Sequence, residues 1–587
     1  MSTQTKSHCK TKFSEYIMPQ DAITLSRTAK ELNDLFSGAK INKVTQPAPD
    51  EIILFVYSKY GNAKISVCVN ALGARVGITE LEQVNPATPP AFCMLLRKHL
   101  LNSSIKSIEA IKDERIIRIS FNGKNDFMEP VEKQLYCEIM GKYSNAVFCE
   151  NEIINGTLKP AVFDLGKERV LLSGAKYALP HAQDKVSLFS PDCVSAVASF
   201  NGGDLADYLF KTVVGFSAYT AKEAIFRIFG KTTFDHTIPD PQDTVKQIID
   251  FVSEYNDKPT VVFLNGKPID YFFCDYLTVS GEKTYFENIT DAETFFFDEK
   301  KRIRDKTELK NKLTSIVNSV LKKEKKKLAI INEKLLSCED AEKYRRYGEL
   351  ITANIYKIKR GDKSVTVIDY YNDNAELSIP IDESISPNQN AQKYFKKYAK
   401  LKNTLKAVTP QKEQTENEID YAASVLAEIQ TADDAQSLGF IREELIESGY
   451  IESREKKPKK KNDNAKSEFR TFEYSGFKIQ AGKNNIQNDK LTFSAKPSDC
   501  WLHVKDYHSA HVVIESNGKH VPLEIIGIAA EICAYFSEAK NGAKVAVDYT
   551  LKKYVKKQPK AKYGSVIYTD FKTVFVTPNA HANLEIK

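Results

Sequence analysis

The chain has 587 residues, of which 42% are hydrophobic and 27% charged, enough apolar content for several cores and a length that implies two to five domains. Lysine and arginine number 84 against 77 acidic residues, a net charge of +7 whose distribution says more than its sum. No apolar run is long enough to cross a membrane, MSTQTKSHCKTKFSEYI has no apolar signal region, and the ten cysteines form no CxxC pair. Reduced thiols in a cytoplasmic compartment are expected, mostly buried as small hydrophobes, and neither a membrane nor a disulfide framework is.

Residues 1–17 read as a polar N-terminal extension. Residues 18–178 alternate short β-like runs with two helical patterns, which predicts an α+β domain. ITLSRTAKELNDLFSGAKI is an amphipathic helix ending at Gly38, and PPAFCMLLRKHLLNSSI is a helix with prolines at its mouth. Residues 179–296 change character. FNGGDLADYLFKTVVGFSAYTAKEAIFRIFG predicts two helices broken at Gly215-Phe216-Ser217, a helix-hairpin-helix unit, and PTVVFLNGKPIDYFFCDYL predicts a β-hairpin turning at Asn265-Gly266.

Residues 297–450 carry two long helical patterns with narrow apolar seams. The first places Leu309, Leu313, Ile316, Val320, Leu328, Ile331 and Leu335 at steps of three and four. The second uses Tyr394, Tyr398, Leu401, Leu405, Val408, Ile419, Ala422, Leu426 and Ile429. Such stripes cannot bury themselves alone, so an antiparallel coiled-coil hairpin is expected. At ~1.5 Å per residue, a 40-residue arm reaches roughly 60 Å. A small β insert at about 360–385 is expected at its tip, and Pro410 is expected to kink or break the second helix. Glu324 falls in the seam register, a local weakness. Residues 451–468 read as a charged linker with nothing to pack. Residues 469–587 predict a second compact α+β domain.

In that last domain LKKYVKKQPKAKYG places Lys552, Lys553, Lys556, Lys557, Lys560 and Lys562 around Tyr554 and Tyr563. Lysines neutralise phosphates and release counterions, while tyrosine rings stack on bases. This is the strongest nucleic-acid signal; the bland alternative is a solvated, self-repelling loop. The lysines from Lys322 to Lys327 read equally well as an ordinary solvated helix face. Four histidines, His503, His508, His511 and His520, lie within 18 residues. Their spacing does not converge as a zinc site would, so structural roles are expected. The GKNN turn at 482–485 could offer N–H groups to a phosphate, yet lacks the ending of a P-loop. Asp21, Arg97, Glu114, Arg115 and Glu138 could be ordinary surface ion pairs. No Ser-His-Asp order, nucleotide-binding glycine loop or carboxylate metal box occurs. No catalytic residue, cofactor or metal is expected, and the chain reads as a non-enzyme.

Several longer strings carry a resemblance: PPAFCMLLRKHL at 89–100, CEIMGKYSN at 137–145, YGELITANIY at 347–356, GKNNIQND at 482–489, DCWLHVKDYHSAHVVI at 499–514 and VDYTLKKYVKKQPKAKYGSVIY at 547–568. In this order they resemble the NFACT family, in its bacterial RqcH branch, whose members have also been called fibronectin-binding proteins. The resemblance implies an N-terminal domain related to the Fpg/Nei glycosylase fold, a helix-hairpin-helix, a coiled coil with a small middle unit, and a C-terminal NFACT-R domain. It implies a ribosome quality-control factor that binds stalled large ribosomal subunits carrying peptidyl-tRNA. Such a factor recruits alanyl-tRNA for alanine tailing without mRNA, leaves the chemistry to the ribosome, and works there as a monomer. The family's tRNA-binding positions fall on Asp21, Arg97, Glu114, Arg115, Glu138, Ile139, Met140, Gly141 and Lys142. In an alternative register Asp113 is the acid and Glu114 is inserted; either way the family's Asp-Arg adjacency is broken, and Lys142 stands where arginine is common. A surface adhesin would want a signal, an anchor and disulfides. A DNA-repair lyase would want a nucleophilic terminus or lysine in a pocket, and the polar start lends it no support.

Overall fold

The computed structural model describes residues 20–124, 129–159, 169–181, 183–254, 257–359, 361–452, 469–558 and 561–586. The predicted extension 1–17, and residues 453–468 of the predicted linker, lie outside the described residues. The fold is mixed α/β and multidomain. It divides into two compact units, Met1–Ile303 and Arg304–Lys587.

The first unit is built on an antiparallel sheet. Its strands are β1 (Lys40–Ala48), β2 (Glu51–Ser58), β3 (Gly61–Cys68), β4 (Arg75–Ile78), β5 (Ser104–Ala110), β6 (Ile116–Lys124), β7 (Pro130–Glu138), β8 (Asn145–Glu150) and β9 (Ile153–Thr157). The spatial order is β4-β3-β2-β1-β5-β6-β7-β8-β9, so sequential strands pair throughout except where a helix separates β4 from β5. The helices α1 (Ala22–Phe36) and α2 (Ala91–Leu100) supply Leu25, Leu32, Phe92 and Leu96 to one core with the alternating residues of the strands. The helix α1 starts from Asp21 as its N-cap, and α2 starts behind Pro90, the proline predicted at its mouth.

A second core in this unit gathers α3 (Asp192–Ala198), α4 (Leu205–Thr212), α5 (Ala218–Phe229) and α6 (Pro241–Glu254) around the strands Thr260–Leu264, Lys267–Phe272 and Glu282–Tyr285. The predicted break between two helices is present: Gly215 sits at φ +93° and Ser217 caps α5. The predicted hairpin turns at Asn265 (φ 51°) and Gly266 (φ 70°), the two left-handed positions of a type I′ turn.

The helix α7 (Ile289–Cys338) begins in the first unit. Its Asp298 accepts from Thr79 Oγ1 at 2.9 Å and from Glu80 N at 3.1 Å, and lies 3.4 Å from Arg75 Nη2. Glu293, one helical turn earlier, is fully buried, and a Cβ on Gly77 would stand 2.7 Å from its Oε1.

The second unit holds the rest of α7, then α8 (Ala341–Ala353), α9 (Pro387–Thr431) and α10 (Ala435–Glu447). The predicted insert is a hairpin of Ser364–Asp369 with Ala375–Pro380 between α8 and α9. The helices α7 and α9 run antiparallel. Lys310 Nζ donates to Gln430 O at 2.7 Å, and Leu313, Val317 and Leu321 share a cluster with Tyr421, Ala422, Val425 and Ile429. The buried stripe is therefore not quite the predicted one. Ile316 and Val320 are half-buried, Leu405 is exposed, and Val317, Leu321, Tyr421 and Val425 carry the contact instead. Leu313, Val317 and Leu321 lie four apart and so share one face of α7, the face that meets α9.

The helix α9 runs unbroken through Pro410, contrary to expectation. The proline is exposed, so the carbonyl left without its usual donor faces water, and buried Val408 and Thr415 anchor the helix on either side. Glu324 also finds its reason here: it lies half-buried and pairs with Lys327 at 3.3 Å.

The final domain stacks α11 (Asn485–Ser494) and α12 (Leu523–Tyr535) on a seven-stranded sheet. Its strand order is Lys572–Val576, Val545–Leu551, Cys500–Val504, Val512–Glu515, Phe477–Ala481, Arg470–Tyr474 and Glu585–Ile586. The nine described cysteines are free thiols, eight of them buried, and no helix among the described residues is long and apolar enough to cross a membrane.

Burial pushes the Glu293 carboxyl up to about 8, against the opposing pulls of Arg75, Gln20 and Thr28. A carboxyl raised this way stabilises as the neutral acid. Its contribution is complete below the ordinary carboxyl range and is lost as pH rises through about 8. Thermal unfolding followed from pH 5 to 8 is expected to show a falling midpoint that Glu293→Gln flattens. A decline of equal slope in the variant would remove Glu293 as its source.

Candidate RNA interface

The turn between β5 and β6 is tight. Ile111 N donates to Ile116 O at 2.8 Å, Glu114 N donates to Ile111 O at 3.1 Å, and Asp113 takes φ 62°. This turn presents Glu114 and Arg115 at the end of two interior strands of the sheet. Arg115 O accepts from Ile139 N at 2.8 Å, which ties the turn to the segment after β7. Two of the predicted strings, Asp-Glu-Arg and Glu-Ile-Met-Gly, are thus neighbours through one backbone bond.

Asp21 reaches the same place from α1. Its Oδ1 accepts from Thr24 N at 2.8 Å as the N-cap, while Oδ2 accepts from Ser217 N at 3.1 Å and from the Thr220 hydroxyl. One carboxylate therefore caps α1 and holds the start of α5. Asp21, Glu114 and Arg115 line a single cleft of about 160 Å³ with Lys185 and the backbone at Gly215. Burial pulls the Arg115 guanidinium below its ordinary value, and Asp21 and Glu114 pull it back. Burial raises the Glu114 carboxyl, with Arg115 opposing. Among the described residues the Arg115 guanidinium has no hydrogen-bond partner, so a half-buried cation with five donors is left facing the cleft.

Glu138 is used differently. Its carboxylate is 1% exposed and gripped by both terminal nitrogens of Arg169, with Nη1 at 3.2 Å from Oε2. Tyr177 OH donates to it at 3.0 Å. Burial alone would lower the Arg169 guanidinium, but its bonds to Glu138 hold it above the ordinary value. Glu138 thus has three donors from within the protein. It anchors the turn that follows, where Met140 N donates to Ser144 Oγ at 2.8 Å and Gly141 takes φ 58°. Ile139 is a core residue, Met140 is half-buried, and only Lys142 of this string is an exposed cation, lying 4.9 Å above the Tyr143 ring.

Arg97 stands apart from this cluster. It lies on α2, its Nε donating to Val44 O at 2.8 Å, and it does not line the cleft. Sequence reading missed Arg169, Tyr177, Thr220 and Lys185. Only Thr220 had a local signal, three residues beyond the helix cap at Ser217; an arginine and a tyrosine 31 and 39 residues from Glu138 have none.

The basic run of the second unit is also divided in use. Val555–Lys557 pairs antiparallel with Val566–Tyr568. Lys557 forms an ion pair with Asp489, and Lys562 one with Glu418 at 2.7 Å while covering the Tyr421 and Tyr450 rings at 4.8 Å each. These two lysines lock the loop in place. Lys553 and Lys556 are exposed, Lys552 and Tyr554 half-buried, and Lys560 lies outside the described residues. The GKNN turn is not a phosphate cradle. Lys483 N donates to Gln487 Oε1 at 3.1 Å and Asn485 N to Glu444 Oε2 at 3.1 Å, so protein acceptors already take these groups. Two of the four histidines pack with the core, His511 with Nδ1 2.8 Å from Thr492 Oγ1 and His503 stacked on Trp501, while His508 is half-buried and His520 exposed. Burial pushes His503 down to about 4 and keeps it neutral.

Residues 21–464 match the model of the NFACT N-terminal and middle domains, and residues 468–570 that of the NFACT protein RNA binding domain. The chain belongs to the NFACT family. It is 36% identical over 569 residues to "Rqc2 homolog RqcH" of Bacillus subtilis (strain 168), covering 95% of this chain and 97% of that protein. It is 31% identical over 568 residues to "Rqc2 homolog RqcH" of Streptococcus suis (strain 05ZYH33), covering 96% and 98%. A solved structure titled as the C-terminal of the fibronectin/fibrinogen-binding protein from Streptococcus suis aligns at 34% identity with a TM-score of 0.38, over 48% of this chain and 99% of that one.

Removing Arg169 would leave a buried carboxylate with one hydroxyl donor. Breaking such a pair costs about 3–5 kcal/mol, so Arg169→Ala is expected to lower the urea midpoint strongly. Arg169→Lys should recover only part of it, because an ammonium cannot span both oxygens. Equal midpoints for parent and Arg169→Ala would show that Glu138 is held by other groups.

Proposed function

We infer that this chain is a ribosome-associated quality-control factor. The observation that carries the reading is the match to RqcH proteins along nearly the entire chain, spanning both the N-terminal and the RNA-binding domains. On this reading it binds large ribosomal subunits that retain peptidyl-tRNA after a stall, recruits alanyl-tRNA, and promotes alanine tailing of the nascent chain. Its partners are ribosomal RNA and proteins together with tRNA, and it works in the cytoplasm as a monomer on the ribosome.

In this proposal the chain is not an enzyme. It positions two tRNA-bound substrates, and the effective concentration so gained is its contribution to the rate. Arg115 and Lys142 grip tRNA phosphates or bases, Asp21 and Glu114 orient Arg115, and Glu138 with Arg169 acts as a positioning pair behind them. The antiparallel helices α7 and α9 act as a coiled-coil strut, the helices α4 and α5 as a helix-hairpin-helix, and the N-terminal domain as a relative of the Fpg/Nei fold. Lys552, Lys553, Tyr554 and Lys556 offer the C-terminal domain's exposed cationic edge to RNA.

Affinity purification of tagged protein from stressed cells tests the reading. Large subunits and alanine tRNA should co-purify, and binding should fall steeply with added salt as counterion release loses its driving force. Arg115→Ala should reduce tRNA recovery roughly ten-fold while subunit recovery holds. Recovery of neither RNA would defeat the proposal, and equal tRNA recovery would remove Arg115 from the grip.

A further inference from the structure

The second unit contains a cavity of about 180 Å³ that the cationic edge does not explain. One wall is α9, through Tyr421, Ser424 and Glu428; the opposite wall is the strand and loop of Tyr563, Val566 and Tyr568. The size is below the ~300–1,000 Å³ of sites for drug-sized ligands and corresponds to a few waters at ~30 Å³ each. One aromatic ring system is the fitting occupant.

Its chemistry is specific. The Glu428 carboxylate lines the cavity, and its two oxygens accept one amide each, from Asn485 Nδ2 at 3.2 Å and Asn488 Nδ2 at 3.3 Å. A carboxylate has roughly four acceptor sites, so half its capacity remains unfilled. Burial and the neighbouring Glu444 both push this carboxyl up and favour its protonated form, whereas N–H groups donated by a ligand would favour the ionised, accept-only form. Tyr568 is a rigid ring surface, 5.0 Å from the Trp501 centroid and 5.3 Å from that of Phe571. Tyr563 is an exposed ring at the mouth. The walls are locally constrained: Gly564 takes φ +80°, and a Cβ there would stand 2.1 Å from Asn485 Oδ1.

The cavity also borders a phosphate-binding edge. The strand that supplies Val566 and Tyr568 is hydrogen-bonded to the strand bearing Lys556 and Lys557, in the register Val555↔Tyr568 and Lys556↔Ile567. A ribose-phosphate chain on Lys553 and Lys556 therefore runs beside an aromatic-walled, carboxylate-based pocket. Single-stranded RNA is recognised by unstacked bases that lie on aromatic rings and present their Watson–Crick edges. Carboxylates select amino-bearing edges, because they can only accept.

We propose that this cavity receives one unstacked, amino-bearing nucleobase of single-stranded RNA, with Glu428 accepting its exocyclic N–H and Tyr563 and Tyr568 flanking its ring. The inference rests on the reading of the C-terminal domain as an RNA binder and adds base selection to it. Uracil, with a single N–H between two carbonyl oxygens, is disfavoured.

The test uses the full chain and fluorescent ten-nucleotide RNAs: an all-uridine strand and strands with one central guanosine, cytidine or adenosine. At least one amino-bearing base is expected to tighten binding about ten-fold, the scale of one stacked and hydrogen-bonded base. Glu428→Gln should abolish that preference while all-uridine binding, held by lysines, stays the same; Tyr563→Ala, at an exposed position, should reduce the preference. Equal affinity of the parent protein for all four strands overturns the pocket, as does an undiminished preference in Glu428→Gln. The parent comparison decides by itself if that variant does not fold. Binding of no strand by the parent protein would instead overturn the RNA-binding reading beneath it.

Discussion

One buried carboxylate organises the first unit. Asp21 caps α1 through Thr24 and holds Ser217 and Thr220 at the start of α5, so two helices from different cores end on the same two oxygen atoms. A carboxylate taken out of water must be fully hydrogen-bonded. Here the donors come from positions 196 and 199 residues further along the chain, and satisfying them closes one side of the cleft in which Arg115 lies. The site's charge balance follows from this geometry. Asp21 and Glu114 keep a partly desolvated guanidinium charged, yet neither pairs with it directly, and its donors stay available.

The same economy appears beside it. Glu138 and Arg169 form a buried ion pair just before the turn through Gly141. The second unit repeats this division of labour. Lys557 and Lys562 are held by Asp489 and Glu418, and by being held they leave Lys553 and Lys556 on an ordered edge. In one short run, some lysines are thus paired within the protein and others are exposed to solvent.

Buried acids that are not fully paired mark a different kind of place. Glu444 accepts from Tyr421 OH and from Asn485, and Glu428 accepts from Asn485 and Asn488, so two carboxyls share one asparagine side chain. Burial pushes both carboxyls up, Glu444 to about 7, with Glu444 adding to the shift of Glu428, so protonation relieves their repulsion. The core histidines nearby stay neutral by burial and cannot offset it.

Local order is legible in the amino-acid sequence itself. Pro90, Gly38, the Gly215-Phe216-Ser217 break and Asn265-Gly266 each impose a backbone conformation through sterics that act within a few residues, and each lies where its sequence puts it. The alternation of apolar residues likewise announces the strands of both domains, and the long ordered strings announce the family. What only the tertiary structure decided are pairings across long separations and the allotment of charge. Nothing local ties Arg169 to Glu138, Lys562 to Glu418, or Asn485 to Glu428, because these bonds depend on where separate elements dock. The seam of α7 keeps Leu313 as predicted but adds Val317 and Leu321, and α9 passes Pro410 unbroken, because packing along a partner helix outweighs a single local preference. The residue types of the site are written in the sequence; which of them are buried, paired or left exposed is decided by where separate elements dock.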